Sequence, residues 1–262
     1  MNVDKSAGSI PHLSIITAVL NAKEDLTKSI KSVRKQYFKD FEFIVIDGGS
    51  TDGTLEVIRQ NEDIIRYWVS EPDAGIYHAM NKGLSKATGK FVTFLNAGDA
   101  YCNENVLESL FADTHGCDIV YGDIIIVFDD QKPDYYMKAM EFSKHKLLEA
   151  GTRVVCHQAF FVKRKRAPLY NTSYKFKAEL NWYFDILEKN PSLEIMHKSI
   201  SVVYYPLSGY GHVNYLSNLF EWCKLVIRRF GFRTFFKHKY PKLVLKKLKI
   251  RYPKYFKWLQ KP

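Results

Sequence analysis

The sequence has few cysteines, and they are not spaced for metal binding or redox chemistry. Cys102, Cys117, Cys156 and Cys223 lie far apart among 262 residues, and none forms a C-x-x-C pair. Zinc ribbons and thioredoxin-like chemistry therefore lack support, and we expect reduced thiols in a cytosolic protein. The chain also has no apolar run near 18 residues and no N-terminal signal region, so we predict neither a membrane span nor export.

Acidic side chains are missing from the C-terminal part of the chain. The sequence contains 39 Lys and Arg against 28 Asp and Glu, a formal net charge of +11. Residues 222–262 hold 14 of these basic residues and no acidic one, which leaves 25 basic against 28 acidic residues before them. We therefore predict a mildly acidic catalytic domain at residues 1–212 and a basic, aromatic-rich helical tail at residues 213–262.

Two common nucleotide-binding motifs are absent as well. No G-x-G-x-x-G follows the first predicted strand, which excludes a dinucleotide-binding fingerprint. Residues 83–90 have one residue too many between their glycines for a P-loop, and Phe91 stands where Ser or Thr is required. A nucleotide site in this chain must therefore be of another kind.

Short apolar, β-rich runs alternate with helical periodicity through the first 95 residues, a pattern typical of an α/β fold with a parallel sheet. After residue 95 the alternation is less regular, and a helix is predicted at Lys177–Lys189. The predicted strands are Leu13–Leu20, Phe41–Asp47, Ile64–Val69, Phe91–Leu95, Asp118–Phe128, Val154–Val162 and Leu193–Tyr204.

The turn after the second strand carries the first candidate ligand group. Asp47 ends that strand and begins the sequence DGGSTDGT. Ligands of open α/β sheets bind at the carboxyl ends of strands, where a carboxylate suits hydrogen bonding to a base or ribose. Alternatively the segment is a simple strand–turn–helix connection in which Asp52 caps the next helix.

Asn96 and Asp99 follow the fourth strand in the turn NAGD. Such oxygen ligands suit Mg²⁺ or Mn²⁺ that also binds diphosphate oxygens, although an Asx-type turn capping the next helix uses the same residues. A third polar segment, residues 71–83, leads into a helix whose N-terminus would favour an anion.

Together these motifs resemble those of the family 2 glycosyltransferases, which have the GT-A fold, a Rossmann-like mixed sheet flanked by helices. The matching segments are SIITAVLNA, FIVIDGGSTDGT, SEPDAGIYHAMNKGLSKATGKFVTFLNAGD and CHQAFF, spread over residues 12–205. The likeness is greatest to bacterial members that build cell-surface polysaccharides. It implies transfer of one sugar, with inversion, from a nucleoside-diphosphate sugar, most commonly a UDP-sugar, to a saccharide or lipid-linked saccharide.

The resemblance also implies roles for individual residues. Asp99 would be the main protein ligand of Mn²⁺ or Mg²⁺. Asn96 replaces the first Asp of the family's D-x-D motif and would be a weaker metal ligand or would contact the sugar. The implied nucleotide-binding residues are Thr17, Ala18, Asn21, Asp47, Ser50, Asp52, Asp73, Gly75 and Asn81.

The catalytic base implied by the resemblance lies later in the chain. Glu179 follows Ala178, as the catalytic base of the family follows an alanine, and is therefore the first candidate. Asp185 is the alternative candidate. Glu179 could instead be a solvated residue on a surface helix. His157 and Gln158 would contact the donor or acceptor sugar, or His157 could be an interior residue.

The tail combines an apolar helical stripe with lysines and arginines. Such a helix suits an anionic membrane surface, or it packs on the catalytic domain or on a second subunit in a homodimer. We predict packing by its first helix and membrane contact by its last segments. An enzyme so placed would lie in the cytoplasm, peripheral to the inner face of the cell membrane, and use a polyprenyl-diphosphate-linked acceptor. The stripe consists of Leu216, Leu219, Phe220, Cys223, Val226, Ile227 and Phe230.

Two other functions remain open from the sequence. The weakened metal motif is compatible with a nucleotide-sugar-binding pseudoenzyme. The basic, aromatic tail is compatible with nucleic-acid binding, but the near-neutral body with carboxylates at strand ends argues against nucleic acid as a partner.

Overall fold

The computed structural model describes residues 9–128, 133–206 and 215–237, with the side chains of 215 and 216 left aside. The strands are β1 (Leu13–Val19), β2 (Phe41–Asp47), β3 (Ile65–Ser70), β4 (Phe91–Phe94), β5 (Ala100–Tyr101), β6 (Ile119–Val127), β7 (Tyr135–Met137), β8 (Phe160–Lys163) and β9 (Ile195–Pro206). The α-helices are α1 (Lys23–Arg34), α2 (Thr54–Gln60), α3 (Ile76–Lys86), α4 (Val106–Phe111), α5 (Lys144–Ala150), α6 (Ala178–Lys189) and α7 (Tyr215–Lys237), and short 3₁₀ helices occupy Gly151–Arg153, His157–Ala159 and Arg164–Arg166.

The described strands form one mixed sheet in the order β3-β2-β1-β4-β8-β6-β9-β5, and β7 pairs with β6. β1 runs parallel to both β2 and β4, and β2 runs parallel to β3. These four strands confirm the predicted parallel half, with ends within one residue of those expected. Val19 lies opposite Asp47 in the β1–β2 register, so the turns that follow both strands lie at one edge of the sheet.

The second half of the sheet is mixed. β8 lies antiparallel between β4 and β6, while β9 runs parallel to β6. The strand predicted at Val154–Val162 is wrong over most of its length, because only Phe160–Lys163 is extended. Residues 157–159 form a 3₁₀ turn, in which the Ala159 N–H donates to the Cys156 carbonyl at 3.0 Å. A short buried apolar run does not by its periodicity distinguish a strand from a buried turn.

Two hydrophobic clusters cover the two faces of the sheet. One includes residues of α3, α5, α6 and α7, and the other includes residues of α1, α2 and α4. Trp182 of α6 and Trp222 of α7 are each 1% exposed in the first cluster. Burial of such large aromatic side chains contributes strongly to core stability.

The first helix of the predicted tail therefore packs on the catalytic domain. Trp222, Leu225 and Val226 are buried, and α7 is interrupted at Gly231, where φ is 79°. The prediction that Phe220 belongs to the packed stripe is wrong, because its side chain is 70% exposed. No helix in the described part of the chain is long and apolar enough to cross a bilayer. The later tail segments, including Pro241 and Pro253, lie outside the described residues.

Candidate active site

The loops that follow β1 and β2 are joined by hydrogen bonds. The Asn21 N–H donates to Ser50 Oγ at 2.7 Å, and the Thr51 N–H donates to Asn21 Oδ1 at 2.9 Å. Asn21 has a φ of 47°, in the left-handed region that asparagine tolerates better than most residues. The predicted nucleotide residues Asn21 and Ser50 are therefore neighbours at the carboxyl edge of the sheet.

Asp52 connects the starts of two helices. Its carboxylate accepts the Lys23 N–H of α1 at 3.1 Å and the Thr54 N–H of α2 at 3.0 Å. Hydrogen bonding, first of all from the Thr54 hydroxyl, lowers the pKa of Asp52. The capping use of Asp52 is thus present in the structure, and its carboxylate remains exposed beside the loop.

Asp47 lies beneath these loops and is fully buried. Its carboxylate accepts the Ser50 N–H at 3.0 Å, the Ser50 hydroxyl, and the Ser70 hydroxyl at 2.5 Å. On the neighbouring strand, the Thr17 hydroxyl donates to the Leu95 carbonyl at 2.5 Å, and Ala18 is 8% exposed. These residues form a pre-ordered floor under the candidate nucleotide pocket.

The segment before α3 concentrates charge around Asp73. Asp73 Oδ1 accepts from Lys82 Nζ at 2.7 Å and from His78 Nδ1 at 2.9 Å, while the buried Oδ2 has no partner among the described residues. Lys82 also pairs with Glu71 at 2.6 Å. Gly75 is exposed at the start of α3 with a φ of 124°, which favours glycine.

Asn81 has a structural use in this geometry. Its amide nitrogen donates to the Tyr170 carbonyl at 2.9 Å, and its oxygen accepts the Tyr170 N–H at 2.7 Å. The side chain thereby fixes α3 to the loop before α6. A direct contact between this amide and a nucleotide would have to replace two good hydrogen bonds.

Asp99 is 4% exposed at the end of the turn that follows β4. Burial raises its pKa to about 8, against hydrogen bonds that include one from the Gln158 side chain. Gln158 Oε1 accepts from Cys156 Sγ at 2.9 Å, which leaves the amide nitrogen to donate to Asp99. Gln158 is thus a direct neighbour of the predicted metal ligand.

The turn that holds Asp99 is anchored to α1. Ser29 Oγ donates to the Asp99 carbonyl at 2.7 Å, and the Gly98 N–H donates to Ser29 Oγ at 3.0 Å. Close by in sequence, Asn96 Oδ1 is buried with no partner among the described residues. This unsatisfied oxygen and the Asp99 carboxylate are hard donors that fit Mn²⁺ or Mg²⁺. Across the described ranges no three His, Cys, Asp or Glu side chains cluster as a metal site, so substrate oxygens would have to supply further ligands.

Glu179 lies in the first turn of α6 and is partly buried. Burial raises its pKa to about 7, while a hydrogen bond from the Tyr183 hydroxyl and the nearby Lys177 favour the charged form. The Tyr183 oxygen lies 3.0 Å from Glu179 Oε1. Glu179 is therefore not a freely solvated surface residue.

Asp99 and Glu179 act on the same neighbouring groups. Both carboxylates raise the pKa of the Tyr205 hydroxyl and of the Cys156 thiol, although burial is the larger cause for each. Contacts among the described residues link them only indirectly: Gln158, which hydrogen-bonds Asp99, follows His157, whose ring centroid lies 6.5 Å from that of Tyr183, the hydrogen-bond partner of Glu179. The predicted metal ligand and the predicted base are thus connected through intervening side chains.

The model of glycosyl transferase family 2 matches residues 14–174 of the chain. The chain belongs to this family. A glycosyltransferase of PGL/p-HBAD biosynthesis from Mycobacterium bovis is 32% identical over 207 residues, covering 74% of this chain and 77% of that protein. An uncharacterised glycosyltransferase from Haemophilus influenzae is 26% identical over 245 residues, covering 77% of this chain and 98% of the relative.

Solved structures share the GT-A fold of this family 2 glycosyltransferase, as predicted. Residues 1–349 of TarS from S. aureus, crystallised with UDP, superpose with a TM-score of 0.61 at 17% identity, covering 82% of this chain and 65% of that chain. A mannosyltransferase from Pyrobaculum calidifontis, crystallised with GDP-Man and Mn²⁺, superposes with a TM-score of 0.59 at 17% identity. The match covers 86% of this chain and 68% of the mannosyltransferase chain.

In this family 2 glycosyltransferase the rival base Asp185 is already paired. It accepts from Arg229 Nη2 at 2.6 Å and from Asn181 Nδ2 at 2.8 Å. Asp185 lies six residues after Glu179, and on a helix this places the two side chains on different faces. The two candidate bases therefore have different surroundings in the structure, a difference that the sequence could not show.

His157 is an interior residue of the glycosyltransferase. Its Nε2 lies 2.5 Å from the Tyr170 hydroxyl, and its ring packs 4.8 Å from that of Phe94. Burial lowers the pKa of His157 to about 3, so the ring is neutral at physiological pH. Its contacts are with aromatic neighbours, which agrees with the alternative that His157 is an interior residue.

Sequence reasoning missed three groups that surround the carboxylates. Lys82 directly follows Asn81, an implied nucleotide-binding residue, and this position next to it in the sequence could have indicated Lys82. Tyr77 lies near the Glu179 backbone, and the Tyr183 hydroxyl donates a hydrogen bond to the Glu179 side chain. The spacing of Tyr183 four residues after Glu179 on a predicted helix could have indicated this second contact.

Proposed function

We propose that this glycosyltransferase moves one sugar from a nucleoside-diphosphate sugar to an acceptor hydroxyl, with inversion and with Glu179 as the base. The observation that carries the proposal is the partly buried Glu179, which accepts a hydrogen bond from the Tyr183 hydroxyl and whose pKa burial raises to about 7. A general base is most effective when its pKa lies near the working pH.

The chemistry follows from this arrangement. Glu179 accepts the acceptor hydroxyl's proton as that oxygen forms a bond to the anomeric carbon of the donor. The bond from this carbon to the diphosphate oxygen breaks, and its electron pair leaves with the nucleoside diphosphate. A single displacement from the opposite face inverts the anomeric centre.

The leaving group carries negative charge that must be stabilised. Asp99, with Asn96 Oδ1, would hold Mn²⁺ or Mg²⁺, which when bound neutralises charge on the diphosphate. Lys82 is a further cation on this side of the site, held by Asp73 and Glu71. Support for a metal comes from the Pyrobaculum calidifontis mannosyltransferase, which was crystallised with Mn²⁺.

The donor nucleotide would lie over the loops that join β1 to α1 and β2 to α2. Asp47 and the Asn21–Ser50 pair give this pocket a fixed set of polar groups. TarS was crystallised with UDP and with UDP-GlcNAc, and this supports a UDP-sugar as the first donor to test.

The acceptor would be a saccharide or a polyprenyl-diphosphate-linked saccharide of surface polysaccharide synthesis, reached at the inner face of the cell membrane. Phe220 and Phe232 are 70% and 65% exposed on α7, which also exposes Lys224 and Arg228. Exposed aromatic rings beside cations suit an anionic lipid surface. Failure of the protein to bind vesicles containing anionic phospholipid in flotation assays would contradict this placement.

The Glu179→Gln variant tests the function. Transfer should fall by about 10²–10⁴-fold because the base is lost, while donor binding persists. The matched control is Glu188→Gln, which removes a carboxylate from the same helix where it pairs with Arg229. Turnover is measured with UDP-, GDP- and dTDP-sugars, and the anomeric configuration of the product is read by NMR.

Thermal shifts with the same nucleotides, with and without Mn²⁺, provide the binding measurement. A ligand at 100 times its dissociation constant should add about 2.7 kcal/mol to the unfolding free energy. Normal turnover in Glu179→Gln would refute the base role. Nucleotide binding without transfer to any acceptor in the wild-type protein would support a pseudoenzyme instead, and a retained anomeric configuration would refute inversion.

A further inference from the structure

α7 holds the segment that leads into α6. The Glu221 carboxylate accepts three consecutive backbone N–H groups, those of Lys175 at 2.8 Å, Phe176 at 2.5 Å and Lys177 at 2.7 Å. Hydrogen bonds to an ionised acceptor are stronger than neutral ones, and three of them fix the course of the chain. One side chain from a distant helix thus sets where and in which direction α6 begins.

Glu179 lies two residues after this anchored segment. Tyr77 of α3 lies near the backbone of Glu179, so a second element borders the first turn of α6. Lys177 ties the two carboxylates together electrostatically, because Glu179 and Glu221 both raise its pKa against a larger lowering by burial. The position of the Glu179 carboxylate therefore depends on contacts at the entry to α6.

A second contact between α7 and α6 lies further along the helix. Arg229 donates to Asp185 at 2.6 Å, to Asn181 at 2.8 Å and to Glu188 at 2.7 Å. This cluster and the buried side chains of Trp222 and Leu225 attach α7 to α6. Arg229 and Glu221 both contribute to that attachment, but Arg229 contacts side chains from Asn181 to Glu188, whereas Glu221 holds the backbone that enters α6.

We propose that Glu221 is a positioning residue for Glu179, so that α7 belongs to the catalytic apparatus as well as to the surface of the protein. The proposal rests on the base role of Glu179 in the proposed function. A base must lie within hydrogen-bond reach of the acceptor hydroxyl, and a misplacement of 1 Å can cost about 10²-fold in rate. Loss of Glu221 leaves three N–H groups without their acceptor and lets the first turn of α6 shift.

The test compares Glu221→Ala with Arg229→Met, a matched variant that weakens the same helix pair through side-chain contacts but leaves the backbone before Glu179 anchored. Glu221→Ala should lower kcat by about 10–100-fold with donor KM within about twofold of wild type, because the donor pocket is built from other elements. Arg229→Met should keep kcat within about threefold at a comparable loss of Tm. Glu221→Gln, whose amide oxygen still accepts N–H groups but carries no charge, should recover part of the lost kcat and stay about 3–10-fold below wild type.

The outcomes separate this proposal from the function on which it rests. Full turnover in Glu179→Gln would overturn the base role and the positioning role together. An inactive Glu179→Gln beside a wild-type kcat in Glu221→Ala would overturn the positioning role alone, as would equal losses of kcat in Glu221→Ala and Arg229→Met. If Glu221→Ala does not fold, Glu221→Gln decides the matter: a kcat lowered about 3–10-fold at unchanged donor KM supports the proposal, and an unchanged kcat overturns it.

Discussion

The two sides of the site differ in how their carboxylates are held. On the nucleotide side, Asp47 accepts hydrogen bonds from Ser50 and Ser70, and hydrogen bonding lowers the pKa of Asp52. On the transfer side, burial dominates and raises the pKa of Asp99 to about 8 and that of Glu179 to about 7. Asp47 on the proposed nucleotide side thus has hydrogen-bond donors from its own chain, whereas Asn96 Oδ1 on the proposed transfer side has no partner among the described residues.

This difference suits different roles for the two sides. A satisfied polar network keeps its shape and is suited to recognition, since its groups need no rearrangement. Buried carboxylates with raised pKa values are costly and are found most often where protons move or cations bind. Substitutions on the two sides should therefore change different kinetic constants.

Of the changes that compare the two sides, Asp99→Asn should have the largest effect. Loss of this carboxylate should lower kcat by about 10²–10³-fold, since charge on the leaving diphosphate would no longer be stabilised through it. The response of turnover to added Mn²⁺ should weaken in parallel. Steady-state kinetics across a Mn²⁺ titration measures both effects, and unaltered Mn²⁺ dependence would remove Asp99 from the metal site.

A smaller effect of another kind is expected from Asp47→Asn. The buried network that accepts from Ser50 and Ser70 would lose its charge, and donor KM should rise by about 10–50-fold with a lesser change in kcat. Asp63→Asn is the control, because Asp63 is an exposed partner of Arg34 in a surface ion pair. A fall in kcat as large as that of Asp99→Asn would break the distinction between the two sides.

The smallest effect concerns pH. Glu179 must be ionised to accept a proton, so kcat should fall below about pH 7, by roughly tenfold at pH 6, when donor and Mn²⁺ are saturating and keep Asp99 ionised. Tyr183→Phe removes a hydrogen bond that lowers the pKa of Glu179. The acid limb of the pH profile should therefore move to higher pH in that variant. If the limb does not move, the group that titrates there is not Glu179.

Much of the fold could be predicted from local pattern. β1, β2 and β4 are buried in a parallel arrangement, so their sequences are largely apolar runs with clear ends. The stretch around His157 could not be predicted in the same way, since an apolar run serves a buried turn as well as a strand. The 3₁₀ turn there depends on how the segment fits beneath α6.

The sequence nominated residues for the candidate site but could not show how their side chains are bonded. The resemblance indicated Asn81 and His157 as ligand-contacting residues, yet in the structure both side chains bond to Tyr170. No sequence spacing indicates that contact, because Tyr170 lies 89 residues from Asn81. The exposed Phe220 was likewise misassigned, since its helix turns Trp222 and Leu225 to the core instead.

The sequence by itself determined the order of the first four strands, the family and the carboxylates at the ends of those strands, because these depend on neighbours a few residues apart. Only the tertiary structure decided the surroundings of each carboxylate. Asp185 is paired with Arg229, whereas Glu179 is partly buried beside the Tyr183 hydroxyl and its pKa rises to about 7. Burial and pairing are set by side chains from distant elements, and the pKa of a carboxylate follows from both.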